Sequence, residues 1–213
     1  KKNLRNVRHL SKVKSISEIK EITETARANG KKIVLAHGVF DLLHMGHIRH
    51  LKSAKSEGDI LVLSITADEF VNKGPGRPVF SHDMRAEMLA ALECVDYVSV
   101  NHALSAEPMI EAVKPNVYVK GSDYENSDED VTGKIADEQR TVERLNGRMM
   151  FTKDITFSSS SLINRHLDVF DAPLRDYLNV LRDNNGLNSC LELIDSVKNM
   201  RVVIIGDTIV DEY

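Results

Sequence analysis

The chain of 213 residues, 42% of them hydrophobic, is long enough for one α/β domain with an appendage, and it contains no apolar run that could span a bilayer. Its formal net charge of −4 at pH 7 excludes a broad electrostatic attraction to nucleic acid or to an anionic membrane. Its two cysteines, Cys94 and Cys190, form no C-x-x-C motif, and the basic N-terminus lacks an apolar signal core, so we expect a reduced, cytoplasmic protein.

The N-terminal region divides into a basic extension and a helix. Residues 1–14 are basic and show no regular period, so they are predicted to be an irregular extension. Ser15 and Glu18 have the spacing of a capping box, in which each side chain bonds the backbone of the other. Isoleucines at 16, 19 and 22 then form one apolar stripe, which ends at Asn29-Gly30. A helix is therefore predicted from residue 16 to about residue 29.

A strand, a glycine turn and a helix follow between residues 32 and 57. Residues 33–36 are an apolar run typical of a buried parallel strand. His44 and His47 are three positions apart, so they can share one face of the next helix. Strand, glycine turn and helix N-terminus form an arrangement that offers backbone N–H groups to an anion. This stretch is the predicted centre of the functional site.

Predicted strands and helices continue to alternate along the chain up to residue 167. We expect a doubly wound α/β fold with a five-stranded parallel sheet, because strands alternate with helices at the spacing of βαβ units. Ligands bind such sheets beyond the carboxyl ends of the strands. The further strands are predicted at 59–66, 97–100, 116–119 and 149–152, and the further helices at 81–93, 106–113 and 133–145, with another opening at the serines 158–161.

The turn around His44 carries a specific resemblance. His44-Met45-Gly46-His47 matches the H-x-G-H signature of the cytidylyltransferase-like nucleotidyltransferases, and Gly38-Val39-Phe40-Asp41 matches the G-x-F-D element that precedes it. Four later segments occur in the same order as in the adenylyltransferase domain of the bifunctional ADP-heptose synthase family; they are 73–79, 85–89, 95–98 and 119–124. The resemblance extends over about 15–167.

The resemblance also defines the expected domains. Residues 15–167 are predicted to be the nucleotidyltransferase domain, and 168–199 a helical linker with a break at 184–186. Residues 200–213 resemble the first strand of a ribokinase-type (PfkB) sugar kinase, the second activity in that family.

The family resemblance implies an activity and a set of site residues. Members of the family move a nucleotidyl group from ATP or CTP to a sugar phosphate and release pyrophosphate. The sugar phosphate implied here is a heptose 1-phosphate. We expect Mg²⁺ to be held mainly by the triphosphate, and we expect no metal site made of protein side chains. The implied partners are the nucleotide and the phosphorylated sugar or polyol, and a homodimer is expected. The catalytic candidates are His44, His47, Lys73 and Arg85, and the nucleotide-binding candidates are Gly38, Val39, Phe40, Asp41, Gly46, Lys120, Gly121, Asp123, Ser158, Ser159 and Ser160.

Several alternatives stay open on the sequence alone. The domain could be a CTP-dependent transferase for glycerol 3-phosphate or another polyol phosphate, or a nucleotide-binding module without turnover. Asp41 could serve only to cap the motif helix, and the serine run could be an ordinary helix cap. The histidines could instead be zinc ligands, although no cysteine or carboxylate completes a site at ligand spacing. Lys153 is a further possible phosphate contact.

Overall fold

The structure is a computed structural model that describes residues 8–74, 76–121, 134–152, 172–198 and 200–201. By its internal contacts the chain divides into two units, residues 1–167 and residues 168–213. The predicted kinase strand falls almost entirely on residues 202–213, outside the described residues. Its assignment therefore stays a prediction.

The first unit is built on one parallel sheet. Its five strands have the spatial order β3-β2-β1-β4-β5, and each of the four pairings between neighbours is parallel. The predicted fold class is confirmed. The strands are β1 Ile33–Gly38, β2 Ile60–Thr66, β3 Tyr97–Asn101, β4 Val117–Gly121 and β5 Arg148–Thr152.

Helices cover both faces of this sheet. Val34 and Ala36 of the central strand pack into one apolar cluster, whereas Ile33 and Leu35 pack into the other, because successive side chains point to opposite faces. A strand buried on both faces has to be apolar throughout, which explains the continuous run in the sequence. The helices of this unit are α1 Ile16–Ala28, α2 Met45–Ser56, α3 His82–Ala90, α4 Glu107–Val113 and α5 Ile135–Arg144.

The predicted N-terminal capping box is present, but the extension before it is not irregular throughout. Ser15 accepts a hydrogen bond from the Glu18 N–H, and the Glu18 side chain accepts one from the Ser15 N–H. Residues Arg8–Lys12 form a short 3-10 helix, and the Lys14 N–H donates to the Val98 carbonyl at 2.9 Å. The expectation of an irregular extension is therefore wrong for residues 8–14, because they are held against β3.

The second unit contains two helices, α6 Ala172–Asp183 and α7 Gly186–Val197. The predicted break between them is confirmed, with Asn185 in the left-handed region at φ 56°. Across the described part of the chain, none of the helices combines the length and the apolar character that crossing a bilayer requires.

The strand order locates the crevice in which a ligand is expected. The chain builds outward from β1 to β2 and β3 on one side, and then adds β4 and β5 on the other. The order therefore reverses between β1 and β4. In open α/β sheets this switch point, beyond the carboxyl ends of the strands, is where ligands bind. Gly38 ends β1 there and Gly121 ends β4.

Candidate functional site

His44 is the N-cap of α2. Its Nδ1 accepts a hydrogen bond from the Gly46 N–H at 3.1 Å. A neutral imidazole that accepts at Nδ1 carries its proton on Nε2. The local turn therefore fixes His44 in the tautomer whose Nε2–H is a hydrogen-bond donor. The alternative in which Asp41 caps this helix is wrong, since His44 holds that position.

His47 lies one turn further along and packs on two rings. The His44 and His47 ring centroids are 4.0 Å apart, and the Phe40 ring meets His47 edge-on at 5.5 Å. Nδ1 of His47 is buried and has no hydrogen-bond partner among the described residues. A buried polar atom without a partner is unfavourable, so this nitrogen is suited to a group that binds.

Both imidazoles are held in the neutral form. Burial lowers the pKa of His47 to about 3, and the nearby His44, His50 and Lys73 add to the effect because like charges disfavour protonation. Burial also lowers the pKa of His44. At neutral pH the pair therefore offers N–H groups to a ligand rather than positive charge.

A third histidine, His37, lies on β1 below the same turn. Its Nδ1 is 2.9 Å from the Ser64 hydroxyl and its Nε2 is 3.4 Å from the Thr66 hydroxyl. Burial, with a smaller contribution from the charge of Lys120, lowers the pKa of His37 to about 3. The residue was not among the candidates, although a histidine at the end of a buried apolar strand is itself a signal.

We expect the two most strongly shifted histidines to make the fold acid-sensitive. His37 and His47 take up a proton in the unfolded chain at its ordinary pKa of 6.5, but in the folded chain only near pH 3. The unfolded state therefore binds more protons between these values, and the free energy of unfolding falls as pH falls below 6.5, by at most about 1.4 kcal/mol per pH unit for each histidine.

Urea unfolding of the wild-type chain and of His37→Gln at pH 5, 6, 7 and 8 measures this dependence. The variant should lose less stability than the wild type between pH 7 and pH 5, and the two curves should run parallel above pH 7. Parallel curves over the whole range would contradict the assignment of a neutral, half-buried His37.

The G-x-F-D turn is shaped by the Phe40 ring. Phe40 has φ 51°, a left-handed conformation that is unfavourable for a bulky side chain, yet its ring is only 6% exposed. A Cβ placed on Gly38 would lie 3.3 Å from that ring. Gly38 thus leaves room for the Phe40 ring, which in turn packs on His47.

Asp41 holds a loop rather than a ligand. It is 3% exposed, and its Oδ1 accepts the N–H groups of Val79 and Phe80 at 2.7 and 3.2 Å. Its Oδ2 accepts from Arg77 Nη1 at 3.1 Å in a buried ion pair. These bonds fasten the end of the loop that begins at Lys73 onto the G-x-F-D turn. The assignment of Asp41 to nucleotide binding is not supported, because these groups already occupy both of its oxygens.

Arg85 is a buried residue whose guanidinium group connects several backbone segments. It is fully buried, with Nε donating to the Phe80 carbonyl at 2.9 Å. Its Nη1 donates to the Val39 carbonyl, and Nη2 donates to Asp68 and to the Thr66 carbonyl. These donors are directed at protein oxygens, so the phosphate contact predicted for Arg85 gains no support from them and stays a prediction.

Lys120 is also paired within the protein. Its Nζ lies 3.0 Å from Oε2 of Glu138, and the side chains are 8% and 4% exposed. Glu138 also accepts from the Tyr118 hydroxyl and from the Ala106 N–H. A direct contact between Lys120 and nucleotide, which we predicted, would have to compete with this pair. Glu138 occupies a core position on the apolar stripe of α5, a signal that sequence reasoning missed.

The remaining candidates are either near the histidines or outside the described residues. Lys73 lies on an exposed loop, close enough for its charge to act on His47. Gly46 lies in the first turn of α2, and Val39 contributes its carbonyl to Arg85. Asp123, Lys153 and the serines at 158, 159 and 160 lie outside the described residues, so their roles stay predictions.

The turn just described lies within a region that a known family shares. The sequence profile described as cytidylyltransferase-like matches residues 35–166, most of the first unit and well over half of the chain. The chain belongs to the cytidylyltransferase-like family. This confirms the resemblance drawn from H-x-G-H and G-x-F-D, and it identifies the first unit as a nucleotidyltransferase domain.

Within this family, the chain is similar to a group of curated bifunctional proteins. The bifunctional protein HldE of Aliarcobacter butzleri is 46% identical over 122 residues, which are 56% of this chain and 25% of the relative. HldE of Geobacter metallireducens is 40% identical over 156 residues, which are 72% of this chain and 29% of the relative. The chain thus spans about a quarter of the length of these two-activity proteins.

A solved structure supports the same fold. The lipopolysaccharide core biosynthesis protein from Thermoplasma volcanium has 27% sequence identity and a TM-score of 0.51. The alignment covers 60% of this chain and 100% of that one. The aligned part of this chain, 60% of 213 residues or about 128 residues, is shorter than the 167 residues of the first unit.

Proposed function

We propose that the first unit transfers an adenylyl group from ATP to a sugar phosphate, with heptose 1-phosphate as the foremost candidate, and that pyrophosphate is released. The observation that supports this proposal is the pair of neutral histidines, 4.0 Å apart, at the N-terminus of α2 in a chain of this family. We further propose that the domain is one half of a bifunctional kinase and transferase, as the name of the HldE relatives implies.

The reaction requires little covalent chemistry from the protein. A phosphate oxygen of the acceptor attacks the α-phosphorus of ATP, the bond to the β-phosphate breaks, and its electron pair leaves with pyrophosphate. Negative charge grows on the α-phosphoryl oxygens, so donors placed there lower the barrier. Nε2–H of His44, an N–H of His47 and the positive end of the α2 dipole are suited to this.

Neutral histidines suit the task for a physical reason. A charged imidazole in this half-buried turn would be unfavourable before substrate arrives, whereas a neutral one donates a hydrogen bond without that penalty. When the triphosphate binds, its negative charge favours protonation of His47, and Lys73 on the neighbouring exposed loop supplies a cation.

We propose that Mg²⁺ enters with the triphosphate, whose oxygens hold most of its coordination sphere. Among the described residues there is no group of three or more histidine, cysteine or acidic side chains suited to a metal ion. Asp41, the carboxylate of the motif, is already engaged by Arg77, Val79 and Phe80. When bound, the ion would neutralise charge on the leaving pyrophosphate. A homodimer, implied by the family resemblance, and a cytoplasmic location, expected from the cysteine usage, complete the proposal.

Pyrophosphate release tests the assignment directly. The purified chain is incubated with Mg²⁺, with ATP or CTP, and with heptose 1-phosphate, glycerol 3-phosphate or a hexose 1-phosphate. The proposal predicts the highest kcat/KM for ATP with heptose 1-phosphate. Turnover of CTP with glycerol 3-phosphate instead would support the polyol cytidylyltransferase. ATP binding without pyrophosphate release for any pair would leave only a nucleotide-binding module.

A further inference from the structure

A polar link between α2 and β5 lies beside the two histidines of the proposed site. Nδ1 of His50 is 2.7 Å from the Thr152 hydroxyl, although the two residues are 102 positions apart in sequence. Thr152 is 3% exposed and is the last residue of β5. His50 follows His47 by three positions, so it shares the face of α2 that carries the H-x-G-H histidines.

Thr152 also approaches β4. Its hydroxyl lies 3.5 Å from the Lys120 carbonyl, at the outer limit of a hydrogen bond, but only 2.7 Å from Nδ1 of His50, where the tautomer of His50 decides which atom donates. In this way one side chain of α2 is joined to the carboxyl ends of both β4 and β5.

Apolar packing alone does not hold the part of α2 that carries His44 and His47. The fully buried residues of this helix, Leu51 and Ala54, both lie in its C-terminal half. In the N-terminal half Met45 is 56% exposed. The His50–Thr152 bond is placed where the apolar contacts are weaker, one turn from His47.

We propose that His50 is a positioning residue, which holds the histidine-bearing turn of α2 at a fixed distance from the end of β5. This inference rests on the proposed function. Phosphoryl transfer depends on placing donors around the α-phosphate, and a displacement of about 1 Å can lower a rate by about 100-fold. The link acts on the transition state through His44 and His47, so its loss should lower kcat while KM for ATP changes little.

The test compares His50→Leu, Thr152→Val and the double variant in the complete chain, with pyrophosphate release as the assay. Each single variant should lower kcat about tenfold or more. Because both substitutions remove the same bond, kcat of the double variant should lie within about twofold of kcat of the less active single variant. His50→Asn should recover most of the rate, since its amide can still donate to Thr152. Wild-type turnover in His50→Leu, or multiplicative losses in the double variant, would overturn the proposal.

A matched control lies at the other end of the same two elements. Glu57, which caps α2 at its C-terminus, pairs with Arg148 at the start of β5 on the exposed surface. Glu57→Gln breaks a link between α2 and β5 far from the histidines, and it should leave kcat unchanged. A loss equal to that of His50→Leu would mean that general helix anchoring, and not placement of the turn, controls the rate.

The bond itself can be observed without any activity. Long-range ¹H–¹⁵N correlation of the histidine rings at pH 8 should show a His50 Nδ1 chemical shift that changes clearly in Thr152→Val. An Nδ1 shift that is the same in the wild type and in Thr152→Val would refute the link. A changed shift in a chain that releases no pyrophosphate would instead contradict the proposed function, so the two failures are distinguishable.

Discussion

Replacing His47 by alanine is expected to lower kcat by about 100-fold or more with little change in stability. The proposed site uses His47 as a donor to the α-phosphoryl oxygens, and removal of one oxyanion donor from an acyl-transfer site has an effect of about this size. The ring packs on His44 and Phe40, but it makes no hydrogen bond through Nδ1 among the described residues, so folding should tolerate its loss. Steady-state pyrophosphate release and thermal unfolding measure the two effects.

His102→Ala is the matched control for this variant. His102 is also a histidine at the carboxyl edge of the sheet, just after β3, but its side chain is 59% exposed and pairs with Glu69 on the surface. This variant should retain the wild-type rate. Near-normal turnover in His47→Ala would contradict the phosphate role of the H-x-G-H turn.

Arg85→Met is expected to lower the free energy of unfolding of the domain by about 3 kcal/mol or more. Methionine keeps much of the volume but removes every donor, and each buried carbonyl left without a hydrogen-bond partner lowers stability by about 1–3 kcal/mol. The carbonyls of Val39, Phe80 and Thr66 would lose a hydrogen-bond donor together with Asp68. Urea unfolding monitored by circular dichroism gives the free energy of unfolding.

Arg144→Ala is the control that shows whether loss of any arginine, or only of a buried one, lowers stability. Arg144 pairs with Glu111 on the surface, with 60% of its side chain exposed, so its removal should change stability by less than about 1 kcal/mol. If Arg85→Met were as stable as the wild type but inactive, Arg85 would be a phosphate ligand after all, and its role in connecting backbone segments would be wrong.

The sequence predicted those features whose signals are local. The apolar run at β1, the capping box at Ser15 and the spacing of His44 and His47 are each complete within a few residues. Periodicity and capping depend on near neighbours along the chain, so they can be read without the fold. The parallel sheet also followed from the alternation of strands and helices, whereas the order of its strands was not predicted.

The contacts that side chains make with distant partners could not be predicted from the sequence. Asp41 matches the motif, but its role is set by Arg77 and by the backbone at Val79 and Phe80, nearly forty residues away. Arg85 looked like a cation available to phosphate because nothing near it in sequence reveals the four oxygens that surround it. Only the folded arrangement of β1, β2 and α3 brings those oxygens together.

The buried acid Glu138 was not predicted from the sequence. It stands with Ile135, Thr141 and Val142 on the buried face of α5, where a charged residue needs partners. Its position on an apolar stripe was visible in the sequence, but its partner Lys120 was assigned to nucleotide instead. A charged residue at a core position is thus evidence about its partner as well as about itself.

One measurement tests the central claim, that this domain performs nucleotidyl transfer, most directly. ³¹P NMR follows a mixture of the purified chain, Mg²⁺, ATP and heptose 1-phosphate over time. We expect equal amounts of pyrophosphate and of a product with two coupled diphosphate signals, at a rate that falls by about 100-fold in His47→Ala. Unchanged ATP and sugar phosphate in the wild-type sample, with heptose 1-phosphate and with every other acceptor tried, would contradict the account.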